Sequence, residues 1–67
     1  MDYSYDQVTA AATDAIAEAA ESRLHDAQSE PWRAIGAGVY MLWAHLVGDA
    51  ARKADEDRII GMVEAIA

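Results

Sequence analysis

The segment from residue 32 to residue 47 holds nine of the 20 larger apolar side chains of this 67-residue chain. Its apolar residues recur at spacings of three and four, which is the period of an amphipathic helix. The apolar arc of that helix comprises Trp32, Ile35, Val39, Tyr40, Leu42, Trp43, Leu46 and Val47. The pattern therefore predicts a helix at the centre of the fold.

Alanine accounts for 16 of the 36 hydrophobic residues of the chain, and 13 of those 16 alanines lie outside this segment. Leu, Ile and Val together number only 12 and there is no Phe, a composition shared with disordered chains. Alanine, however, is the strongest helix former. We therefore predict an all-α fold, a small three-helix bundle with a central apolar helix, in which residues 1–67 form a single helical domain.

The first helix has a clear start. Ser4 and Gln7 have the spacing of a capping box, and Tyr3 and Val8 stand at the positions of a hydrophobic staple. No residue after this start disfavours a helix until Pro31, so we predict a helix over about 5–28. Its expected buried stripe is Tyr5, Val8, Ala12, Ala15, Ile16 and Ala19.

The remaining boundaries follow from proline and charge. Pro31 suits the first turn of a second helix, predicted over 31–50, with Ser29 as a cap. Residues 52–58 carry six charges in seven positions, so we interpret them as a junction and expect Asp55 to cap a third helix over 56–66. The apolar stripe predicted for that helix is Ile59, Met62, Val63 and Ile66.

Charge narrows the classes of partner. The formal net charge is −7 and the pI is near 4.4, which disfavour direct binding to nucleic acid or to anionic membranes. The longest uncharged run, Ala34–Gly48, is too short to span a bilayer. The acidic start lacks the features of a signal peptide, so we expect a soluble cytoplasmic protein.

Catalytic and metal sites are poorly supported. Glu21 with His25, and His45 with Asp49, each lie one helical turn apart, but a bundle metal site needs more converging ligands. The chain has no cysteine, and its hydroxyl residues show no spacing that indicates an activated nucleophile. We therefore expect no metal, no cofactor and no enzymatic activity.

Acidic residues follow one face of the first helix. Asp14, Glu18 and Glu21 are separated by four and three residues, opposite the alanine stripe, and we call these three side chains the acidic ladder. Like charges at such spacings destabilise a helix by some tenths of a kcal/mol per pair. The ladder has two interpretations. It is either a solvated face of a lysine-poor protein that is acidic by composition, or a binding surface.

The functional interpretation is that the carboxylates of the acidic ladder mimic the phosphates of a nucleic acid strand. Four residues of helix advance about 6 Å, which is close to the spacing of phosphates along a strand. The expected partner is a basic surface of a nucleic-acid-binding protein. The full set of predicted partner-binding residues is Asp14, Glu18, Glu21, Asp26, Glu30, Asp55, Glu56 and Asp57.

In size, charge and helicity over its whole length, the chain resembles the small, acidic, cysteine-free inhibitors that phages encode against host nucleic-acid machinery, including anti-CRISPR proteins. That resemblance implies an inhibitor acting in the cytoplasm of a host cell. The alternative function is a homo-oligomerisation or adaptor module that acts through apolar faces, since a thin core makes a marginal monomer. The small-residue face proposed for such a homodimer contains Ala34, Ala37, Met41 and Ala44.

Overall fold

A computed structural model describes residues 3–66, which form three α-helices and no strand. Helix α1 spans Tyr5–Leu24 and α2 spans Glu30–Val47. A single 3₁₀ turn, Gly48–Ala50, leads to α3 at Lys53–Glu64. All three helices contact one another, so the predicted small three-helix bundle is confirmed.

Helix α1 begins as predicted. The Ser4 side chain accepts a hydrogen bond from the Gln7 backbone N–H at 3.1 Å, and Gln7 Oε1 accepts one from the Ser4 N–H at 2.9 Å. The helix nevertheless ends at Leu24 rather than near residue 28. It ends early because Asp26 organises the turn that follows.

The Asp26 carboxylate accepts two hydrogen bonds in this turn. Oδ1 accepts from the Gln28 backbone N–H and Oδ2 from the indole N–H of Trp32, both at 2.9 Å. The Arg23 guanidinium in turn donates to the Asp26 carbonyl at 2.8 Å. Local bonds of this kind offer the backbone an alternative to continuing the helix. Ser29 occupies the cap position of α2, but its side chain makes no capping hydrogen bond.

The prediction of a junction over 52–58 was wrong, because α3 already begins at Lys53. Arg52, not Asp55, is the residue that precedes the helix. Asp55 instead lies in the first turn, where its Oδ2 accepts a hydrogen bond from the Tyr5 hydroxyl at 2.7 Å. The same hydroxyl accepts from the Arg52 backbone N–H at 3.0 Å. Tyr5 therefore joins the starts of α1 and α3, which allows a highly charged turn to pack against the bundle.

The core is small and is centred on Trp43, which is 1% exposed. The buried hydrophobic residues are Ala12, Ile16, Ala19, Trp43, Ile59 and Ile66. Thr9 is also buried, and its hydroxyl accepts a hydrogen bond from the indole N–H of Trp43 at 2.9 Å. The rings of Tyr5 and Tyr40 both lie 6.3 Å from the Trp43 ring, edge-on and stacked respectively. The predicted stripe of α3 and much of that of α1 are thus confirmed.

Helix α2 is rotated relative to the sequence-based prediction. Three members of its apolar arc, Ile35, Leu42 and Leu46, are between 48% and 64% exposed. The buried residues of α2 are Trp43 and Gly36. A Cβ atom added at Gly36 would lie 3.0 Å from Ile66 Cδ1, just after α3, and 3.6 Å from Val63 Cγ2 within it, so the absent side chain lets the end of α3 approach closely.

The bundle is flat, with extents of 37 × 24 × 14 Å and a radius of gyration of 12.0 Å. A compact domain of this length has a radius of gyration of about 11 Å. One side of α2 has no neighbouring element within residues 3–66, because Ile35, Leu42 and Leu46 are exposed there.

Candidate functional site: an acidic ladder beside an apolar groove

The acidic ladder stands on the solvent side of α1. Asp14, Glu18 and Glu21 are all exposed, and the capped, regular helix from Tyr5 to Leu24 fixes their spacing. Neither of the two ion pairs found within residues 3–66 involves a ladder carboxylate. With a rise of 1.5 Å per residue, the three positions advance about 6 and then about 4.5 Å along the helix. The ladder therefore presents three negative charges to solvent from regularly spaced backbone positions.

Asp26, by contrast, is half-buried and occupied by internal bonds. The Gln28 backbone N–H, followed by the Trp32 indole N–H, holds the pKa of the Asp26 carboxyl below its ordinary value. Both carboxylate oxygens are used in the turn, so the role that the structure gives Asp26 is structural. Glu30, the first residue of α2, is exposed. Its negative charge suits a helix N-terminus.

The predicted partner-binding residues of α3, Asp55, Glu56 and Asp57, form a second acidic patch whose members make contacts of different kinds. Asp55 is half-buried, bonded to Tyr5 and 3.4 Å from Arg58. Asp57 pairs with Lys53 at 2.8 Å in an exposed i,i+4 ion pair. The hydrogen bond from Lys53 to Asp57 raises the pKa of the lysine, and exposed pairs of this type contribute little stability. Glu56 is half-buried, so the patch offers less free negative charge than its sequence suggests.

An apolar groove lies between α1 and α2, a feature that the sequence-based reasoning missed. Its volume is about 440 Å³, and no charged residue lines it. The residues that line it are Tyr3, Gln7, Val8, Ala11, Ala12, Ala15, Val39, Leu42, Trp43 and Leu46. Alanines form most of the α1 side, whereas Leu42 and Leu46 form a bulky α2 side. The volume of this concavity falls in the range of ligand-binding pockets.

The groove reaches the ladder side of α1, because its lining extends beyond the predicted buried stripe to Gln7 and Ala11. Residues three apart lie on neighbouring positions of a helix surface. Asp14 therefore stands beside Ala11, and Glu18 stands beside Ala15, both of which line the groove. Helix geometry thus places Asp14 and Glu18 next to the α1 edge of the groove, which we call its acidic rim, although neither lines the groove itself. The rotation of α2 brings its exposed leucines to the opposite rim.

The histidine pairs do not extend into a larger ligand set. Within residues 3–66, no three His, Asp or Glu side chains converge as metal ligands. His45 is exposed, and its Nδ1 lies 2.8 Å from the Met41 carbonyl of the preceding turn. In the same described region, none of the helices combines the length and the apolar character needed to cross a bilayer.

Comparison with known proteins adds no relative, since no family model, curated protein or solved structure matches this chain.

Proposed function

We propose that this protein is a non-enzymatic binding protein that inhibits a partner by occupying a basic, nucleic-acid-binding surface with its acidic ladder. The observation that carries the proposal is that Asp14, Glu18 and Glu21 are exposed and take no part in the two ion pairs of residues 3–66. Their mutual repulsion slightly destabilises α1 in the free protein. A cationic surface would relieve that repulsion on binding.

Long-range attraction supports the same role. A net charge of −7 on so small a chain speeds encounter with a basic surface and makes binding sensitive to salt. The cytoplasm is the proposed place of action. Among the partner-binding residues predicted from the sequence, the ladder residues are the ones that we propose contact the partner directly, followed by Glu30. Asp26, Asp55 and Asp57 already have internal partners, so they contribute mainly to the overall field.

The test compares two variants with the same change of charge. The ladder variant is Asp14→Asn, Glu18→Gln, Glu21→Gln, and the control is Asp6→Asn, Asp49→Asn, Glu64→Gln, at three exposed acids elsewhere. Each protein is assayed for displacement of labelled nucleic acid from a panel of purified DNA- and RNA-binding proteins, at low and high salt. Circular dichroism checks that both variants remain helical.

We expect the wild-type protein to displace nucleic acid from at least one panel member, with a steep loss of effect at high salt. The ladder variant should lose this activity while the control retains most of it. Equal losses in both variants would mean that only net charge matters. Undiminished displacement by the ladder variant would rule the ladder out and favour a purely compositional origin of the acidity.

A second candidate function is an adaptor or self-association module that acts through apolar surface. Exposed Leu42 and Leu46 favour it, at 60% and 64% exposure. The small-residue face predicted for a homodimer is only partly accessible to a second copy, because Ala34 and Met41 are exposed but Ala37 and Ala44 are half-buried. Sedimentation equilibrium over a wide concentration range tests this function. A monomer throughout would exclude self-association.

A further inference from the structure

We infer that the groove between α1 and α2 is a docking site for an amphipathic helix of a partner protein, with apolar side chains in the groove and Lys or Arg residues beside the ladder. This inference rests on the proposed function, namely that the acidic side of α1 meets a basic protein. It adds the form of the partner and a second set of contacts. The groove, rather than the ladder alone, would then supply most of the apolar contact area.

Helix α2 carries an apolar stripe with the spacing of a helix–helix contact, and three of its members, Val39, Leu42 and Leu46, line the groove. Trp32, Ile35, Val39, Leu42 and Leu46 alternate at three and four residues, which is the a/d pattern of a packed helical seam. Ile35, Leu42 and Leu46 of this seam are exposed, so within residues 3–66 the seam is only partly covered. A fourth helix would complete the packing that the seam begins.

The α1 side has the complementary shape. Ala11 and Ala15 are small, so the groove deepens towards Trp43 between them and the two leucines. Larger apolar side chains of an incoming helix would fill this space. From Val8 to Ala15 the groove runs about 10 Å along α1, which accommodates about two turns of a partner helix. Recognition would therefore use two or three apolar anchors at i, i+3 or i+4 and i+7.

Charge selects among the occupants of such a groove. The rim carries Asp14 and Glu18, whereas none of the five Lys and Arg residues of the chain lines the groove. A second copy would bring another groove without charged lining residues, another acidic rim and a further net charge of −7. A helix with cations on one flank instead pairs with the rim while it buries its apolar face. Complementary charge thus favours a basic amphipathic helix over self-association.

The experiment uses synthetic helical peptides of roughly 14 residues, which is about four turns. One peptide places leucines at i, i+3 and i+7 with Lys and Arg on one flank. A second has the same composition in scrambled order, and a third replaces the cations with Glu. Binding to the full chain is measured by fluorescence anisotropy, with the ladder variant in parallel.

Groove variants separate apolar docking from charge attraction. Leu42→Ser with Leu46→Ser removes the bulky side of the groove, and Ala11→Phe fills its α1 side without removing an apolar group. All three positions are exposed, so the fold should be retained. Met41→Ser is the control, because Met41 is 59% exposed but does not line the groove.

We expect the patterned basic peptide to bind the wild-type protein about tenfold or more tightly than the scrambled one. Both groove variants should weaken that binding by a similar factor, while Met41→Ser leaves it unchanged. The ladder variant should weaken it and reduce its dependence on salt.

Three results would overturn the inference. The first is equal affinity of the wild-type protein for the patterned and the scrambled peptide, together with groove variants that bind as tightly as the wild type. This result would leave the proposed function intact but show that the peptides bind by charge attraction alone. Equal affinity for the acidic peptide would show that the rim does not select cations, which also contradicts the proposed function. A wild-type dimer that Leu42→Ser with Leu46→Ser converts to a monomer would identify the occupant as a second copy.

Discussion

The indole N–H of Trp43 donates to the Thr9 hydroxyl across the α1–α2 interface at 2.9 Å, and both residues are buried. Two residues separated by 34 positions are thereby fixed relative to each other. A buried donor without an acceptor is costly, so this bond helps to decide which face of α2 is turned inwards. It also places Leu42 and Leu46 on the outside of the bundle.

The substitution Thr9→Val tests this relationship. It keeps the shape of the side chain but removes the acceptor, so it should destabilise the fold by about 1–3 kcal/mol. Chemical denaturation followed by circular dichroism measures the loss. Thr13→Val is the control on the same helix, because the Thr13 hydroxyl bonds only to the nearby Ala10 carbonyl. Equal losses for both variants would show that the Trp43 bond contributes nothing specific.

The Tyr5 hydroxyl provides a second long-range connection. Tyr5→Phe removes its bonds to Asp55 and to the Arg52 backbone, so we expect a loss of about 1–2 kcal/mol in the free energy of unfolding. Tyr3→Phe, at an exposed ring, should change it by less than about 0.5 kcal/mol. If the Tyr5–Asp55 bond matters, Asp55→Asn will cost less in the Tyr5→Phe background than in the wild type.

Glycines at positions 36 and 38 should respond differently to the same change. Gly38→Ala places a methyl group in open space and should stabilise α2 by up to about 1 kcal/mol. Gly36→Ala brings a methyl group to 3.0 Å from Ile66 Cδ1, so the crowding should cancel or exceed that gain. Thermal melts of the two variants make the comparison. Gly36→Ala being as stable as Gly38→Ala would refute the close approach of α2 and α3.

Acid should weaken the turn between α1 and α2. The pKa of Asp26 is lower in the folded protein than in the unfolded chain, so its carboxylate stabilises the fold above the unfolded pKa of about 4. That contribution is lost as the pH falls through the folded pKa. Asp26→Asn should therefore lower the melting temperature at neutral pH and show a shallower loss towards acid. Asp49→Asn, at an exposed site, should follow the wild type in a pH series of thermal melts.

Local chemistry made several features of the fold predictable. The capping box of Ser4 and Gln7 depends only on neighbours, and the stripe from Ile59 to Ile66 has one apolar face to bury. Alanine and the three-four spacing were sufficient to predict three helices. The number and the type of the elements therefore follow from interactions within a few residues.

The orientation of α2 was not predictable in the same way. Its apolar residues cover a wide arc, so hydrophobicity alone does not decide which part faces the core. That decision depends on the Thr9–Trp43 bond and on the space left by Gly36, both of which join distant parts of the chain. The apolar groove follows from the same orientation, so the spacing of residues along the chain could not reveal it. The ladder needed only the geometry of one helix and was visible in the sequence.

The two tryptophans have separate roles that make them separate optical probes. Trp43 reports on the buried centre of the bundle and the floor of the groove, whereas half-buried Trp32 reports on the Asp26 turn. With Trp32→Phe or Trp43→Phe, the remaining indole emits from one known environment. Stopped-flow traces of the two variants would then time the closure of the turn against the formation of the core. Superimposable traces would mean that so small a bundle assembles in a single concerted step.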